Sequence, residues 1–196
     1  KEEANYEAEV FVDGKPAGKI KGLLRLIGRD RLHLGGHYDF DLWNWKHYFS
    51  GAFSAIRVHK GALTPEQIQA NAARKPQDED KTIPVELVFD VNAENLPDGK
   101  LSEWKYTGSG GGTFKPGKPV LNNQPKVMAF NGNVGLALGG KHELVSSFNV
   151  PEAMKKGPFT ILTYYAKPVS PHGVDAPILR WDRNTYSLTR AASNPY

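Results

Sequence analysis

Apolar residues in this 196-residue chain gather in strand-length runs punctuated by turn residues, and no helical period lasts long enough to make a parallel crossover. Positions 7–12 alternate Ala8, Val10 and Val12 against Glu7, Glu9 and Phe11. Asp13-Gly14 then supplies the positive φ of a two-residue hairpin, and 15–20 is the returning strand. Residues 32–36 form a short strand ending in glycines, and 49–59 a longer one anchored by Phe49, Phe53, Ile56 and Val58. The one clear helix start is Thr64-Pro65-Glu66-Gln67, with Thr64 as N-cap, Pro65 at the first helical position and Gln67 closing a capping box. That helix is expected to end near Ala72 or Ala73. Further strands are expected at 85–91, 127–130, 134–138, 159–166, 177–181 and 186–189, with Asn131-Gly132 as a tight turn. The fold class that follows is all-β, an antiparallel two-sheet sandwich with one short helix.

Charge narrows the partners. The net charge is +4, with Lys and Arg interspersed among Asp and Glu and no basic run, which argues against nucleic acid. No stretch of about 18 apolar residues occurs, so no membrane-spanning helix is expected. The chain has no cysteine, which excludes disulfides and thiolate metal sites while leaving the compartment open. Its first residues carry no signal-peptide pattern, as expected where a signal has been removed or the sequence starts inside a longer precursor.

Two segments together carry a resemblance. The first holds Val10 to Lys15, Leu32 to Gly35, and the run from Phe49 to Ile68 with its Gly51, Arg57, Val58, Ala62-Leu63-Thr64 and Gln67-Ile68. The second holds Leu87 to Asp90, Ala129 to Gly132, Phe159 to Pro168 and Ile178 to Trp181. The first resembles the end, and the second the beginning, of a laminin G-type module of the concanavalin A-like lectin and glucanase superfamily, of the kind carried by planctomycete extracytoplasmic proteins. The resemblance implies a jelly roll: 1–72 as its C-terminal half, 73–84 as a polar, proline-bounded linker, and 85–196 as its N-terminal half. Because the end precedes the beginning, three organisations stay open: one circularly permuted domain, the junction of two tandem modules, or a piece of a larger protein. An extracytoplasmic location is implied as well.

Glucanases of that superfamily need two or three carboxylates on one strand, spaced so that nucleophile and acid/base share a face. No such string occurs; Glu7-Ala8-Glu9 lacks the third acid, and Asp78-Glu79-Asp80 falls in the linker. A Gly-x-Ser-x-Gly elbow and a His-Glu-x-x-His motif are also absent, so the chain is not expected to be an enzyme. Gly108 to Gly112 lacks the Lys and helix of a phosphate cradle and reads as a flexible loop.

The densest chemistry lies between His37 and Phe49. Trp43, Trp45 and Tyr48 are rings that stack on sugar faces, while Asp39, Asp41 and Asn44 are groups that bond hydroxyls. The competing reading has Trp43 and Trp45 covering a sheet edge or packing against another chain. Asp39 and Asp41 are also candidate calcium ligands, because laminin G-type modules hold that ion with carboxylates and carbonyls. Trp104, Trp181 and Tyr164 are expected on strands in the core. The leading functional expectation is a non-catalytic, lectin-like module that recognises carbohydrate or glycoprotein surfaces. The alternative is a structural module that docks onto other subunits of a larger extracytoplasmic assembly.

Overall fold

A computed structural model describes residues 3–25, 31–35, 49–75, 83–94, 96–97, 99–109, 112–117, 125–130, 132–139, 143–155, 157–166, 176–180 and 187–190. Its regular structure is all-β and antiparallel, with two short helices among the described residues. The chain begins with a hairpin of β1 (Glu3–Val12) and β2 (Lys15–Arg25). Asp13 and Gly14 turn it with φ of 50° and 75°, as the Asp-Gly pair requires. Cross-strand pairs of Glu7 with Lys21 and Glu9 with Lys19 line one face of this two-stranded sheet.

β3 (Arg31–Leu34) and β4 (Ser50–Lys60) follow, then α1 (Pro65–Ala72). The capping box is formed at both ends: Gln67 N donates to Thr64 Oγ1 at 3.3 Å and Thr64 N to Gln67 Oε1 at 2.8 Å. These bonds satisfy two of the amides that every helix leaves without a partner at its start. The remaining strands are β5 (Leu87–Asn92), β6 (Gly99–Lys100), β7 (Trp104–Tyr106), β8 (Gly112–Pro116), β9 (Lys126–Phe130), β10 (Asn133–Gly139) and β11 (Leu144–Asn149). A single-turn α2 (Glu152–Lys155) precedes β12 (Phe159–Ala166), β13 (Ala176–Arg180) and β14 (Ser187–Arg190).

Two six-stranded sheets result. In the first, the order is β12-β4-β10-β9-β6, and β5 pairs with β4 beyond the end of β10. In the second, the order is β14-β13-β3-β11-β8-β7. One apolar core takes side chains from both: Phe53, Ile56, Val58, Phe89, Val91, Leu136 and Leu138 from the first sheet, and Leu32, Leu34, Trp104, Phe114 and Leu144 from the second. Trp104 is fully buried in that core, and its indole Nε1 donates to the Asn92 carbonyl at 3.0 Å, so its polar edge is satisfied as burial demands. Tyr164 differs from the expectation for it. It faces away from the core and is half-buried on the outer face of the first sheet. Gly112 also departs from the sequence reading, since it opens β8 instead of closing a loop. Trp104 lies on β7, a strand as expected for it, whereas β6, β8, β11 and α2 were not anticipated; they are short or lack clean alternation.

Candidate functional site

The 36–48 segment, which holds Asp39, Asp41, Trp43, Asn44, Trp45 and Tyr48, lies outside the described residues, but its root does not. β3 ends at Leu34 in the second sheet and β4 begins at Ser50 in the first. Between them, Phe49 N donates to Gly35 O at 2.7 Å, so the two ends of the segment are tied together at the base. Leu34 and Phe49 are 0% and 2% exposed, which anchors both stems in the core.

An aromatic cluster forms the floor beneath that root. Phe49 stacks on Phe53 with centroids 4.5 Å apart and meets Tyr165 edge-on at 5.9 Å. The approach depends on Gly51: a Cβ there would sit 2.6 Å from the Phe49 ring and 2.5 Å from the Ala166 carbonyl. Tyr165 remains 42% exposed, an apolar ring with a hydroxyl at the foot of the segment. The sequence reading had passed over it. The signal was the Tyr164-Tyr165 pair, which strand alternation sends to opposite faces. A register shift at that pair sets Tyr164 against Ala55 and Tyr165 against Phe53.

On the outer face of the first sheet lies a second polar group. Arg57 Nε bonds Asp90 Oδ2 at 3.1 Å, with both side chains nearly buried, and the guanidinium sits 5.6 Å from the centroid of the Tyr164 ring. Tyr164 Oη donates to the Asn71 carbonyl at the end of α1 at 2.8 Å. Burial pushes the Tyr164 hydroxyl above its ordinary value, and the Arg57 charge pulls part of that back. This group joins β4 to β5 through the Arg57–Asp90 pair and β12 to α1 through the Tyr164–Asn71 bond.

A third pair, His33 Nδ1 and Glu143 Oε2 at 3.3 Å, lies on the second sheet, with the Glu143 side chain 8% exposed. Glu7 and Glu9, the acids weighed against glucanase chemistry, are held by Lys21 and Lys19 on the hairpin. Trp181 and the calcium candidates Asp39 and Asp41 lie outside the described residues, and among those described no three His, Asp or Glu side chains gather as metal ligands. Among the described residues no helix is long and apolar enough to cross a membrane. Comparison of the chain with family models, curated proteins and solved structures gave no match.

Proposed function

We propose that the chain is a non-catalytic recognition module of the laminin G type, a concanavalin A-like jelly-roll sandwich that binds carbohydrate through the segment between β3 and β4. The observation that carries this reading is the tied root. A stretch containing Trp43, Trp45, Tyr48, Asp39, Asp41 and Asn44 departs from a base closed by the Phe49–Gly35 hydrogen bond, next to the exposed ring of Tyr165. Rings that stack on sugars and carboxylates or amides that bond hydroxyls are what a glycan site combines. The sandwich form is supported by the single core that both six-stranded sheets share. The permuted organisation is supported by strands from both sides of the 73–84 stretch lying in each of those sheets.

Titration with soluble polysaccharides, followed by tryptophan fluorescence and calorimetry, tests the reading. The expected result is a spectral shift on binding, with Trp43→Ala or Trp45→Ala weakening affinity by about 1–3 kcal/mol, the usual scale of an aromatic anchor. Tyr165→Ala should weaken it less. A spectrum unmoved by every polysaccharide would sink the proposal and favour docking onto other subunits.

A further inference from the structure

All described ladders of β3 and β4 are made with strands that come after residue 85. β4 pairs with β12 along its length, from Lys60 opposite Phe159 to Ala52 opposite Ala166. Its other edge pairs with β5, from Ala55 opposite Asn92 to His59 opposite Leu87, and with β10, from Phe53 opposite Leu136 to Ser50 opposite Gly139. β3 lies between β11 and β13 in the other sheet. Neither strand pairs with the other or with the β1–β2 hairpin among the described residues.

The consequence is a division of labour along the chain. Without β3 and β4 both six-stranded sheets come apart: the first into β12, β5 and β10-β9-β6, the second into β13-β14 and β11-β8-β7. The part before the 73–84 stretch is therefore a donor of two central strands, and the part after it is an acceptor with one slot in each sheet. The donor also fills the core, through Leu32, Leu34, Phe53, Ile56 and Val58, all 0% exposed. Its one covalent tie to the acceptor is 73–84, a polar stretch holding Pro76 and Pro84.

We propose that this donor is exchangeable between copies of the chain, so that the slots of one molecule accept β3 and β4 from a second copy. Every ladder bond and core contact is the same in the closed monomer and in the exchanged dimer. The balance is then set by the tie between donor and acceptor and by concentration. A connection long enough to return the donor to its own slots gives it an effective concentration in the millimolar range, which favours the monomer in dilute solution. Shortening the connection removes that advantage and leaves the second copy as the only source of the missing strands. The proposal goes beyond the glycan reading and does not depend on it.

The test uses the absence of cysteine in the natural chain, so that any disulfide formed is the engineered one. Ala52 and Ala166 are directly opposed across the β4–β12 ladder, within the reach of a disulfide between antiparallel partners. The chain with its 73–84 stretch intact and carrying both Ala52→Cys and Ala166→Cys is expected to close an internal disulfide; failure to do so overturns the β4–β12 register and the proposal with it. The chain lacking 77–81 is expected to elute at twice the monomer mass. When a shortened chain with Ala52→Cys and another with Ala166→Cys are refolded together and oxidised, a covalent heterodimer is expected. A folded shortened monomer overturns the proposal. Should the shortened chain not fold, the two single variants of natural length are unfolded, mixed and refolded over a range of concentrations. The covalent heterodimer is expected to grow with concentration, and its absence throughout overturns the exchange.

Discussion

Arg57 and Tyr164 show how much a few buried polar atoms decide. The guanidinium is held against Asp90 with 2% of its side chain exposed, so removing it leaves a nearly buried carboxylate without its main counter-charge. Arg57→Met is expected to cost about 3–5 kcal/mol in urea unfolding, the scale for breaking one side of a buried pair. Adding Asp90→Leu to it should restore much of that loss. Tyr164 gives a pH-dependent prediction. Its hydroxyl is raised above the ordinary value in the folded chain, so the neutral form is the one the fold favours. That contribution is fully present below the unfolded value, near 10, and is lost as pH rises through the folded one. Stability should therefore fall on alkaline titration above about pH 10. Tyr164→Phe should lose about 1 kcal/mol at neutral pH, for the bond to Asn71, and flatten the alkaline decline. Neither role was legible beforehand. Arg57 sits in an apolar strand where periodicity says only that something is buried, and Asp90 reaches it through pairing that no local pattern encodes.

At the scale of elements, local chemistry was a good guide where the chain itself holds the geometry. Thr64, Pro65 and Gln67 determine where α1 begins, and it runs over Pro65–Ala72 as their pattern requires. Thr64→Ala is expected to destabilise by about 1 kcal/mol, measured by thermal or urea unfolding, since it opens half of the capping box. Asp13-Gly14 set the first hairpin equally well, although its strands extend to Glu3 and Arg25, past the point where alternation faded. The strands that escaped notice are those whose signal is weakest. β6 has only two residues, and β11 carries Ser146 and Ser147 within its run. Ser146 is fully buried, and its hydroxyl both accepts from the Leu32 amide at 2.9 Å and donates to the Phe148 carbonyl at 2.6 Å. A polar residue so satisfied belongs in a core but looks like a loop residue in a sequence. The candidate site was legible as composition, in the crowd of rings and acids from His37 to Phe49, and its root only through the Gly35–Phe49 bond that joins the ends.

For the whole molecule, the all-β class follows from strand-length runs and turn residues, whereas the assignment of strands to sheets does not. β3 and β4 are separated by the 36–48 segment and enter different sheets, each next to partners far along the chain. Thr160 Oγ1 donates to the Gly61 carbonyl 99 residues away, and Tyr164 reaches Asn71 across 93. Such pairings carry a large loop-closure entropy, and folds built from them acquire their structure slowly. There is a further consequence for a chain made from its N-terminus. β4, buried throughout residues 51–59, leaves the ribosome well before β12 exists to receive it. At ordinary rates of translation that interval is roughly 5–20 s. During it, a strand with open edges and with Phe53, Ile56 and Val58 uncovered is a target for aggregation and for chaperones, so the nascent chain needs shelter that the finished protein does not.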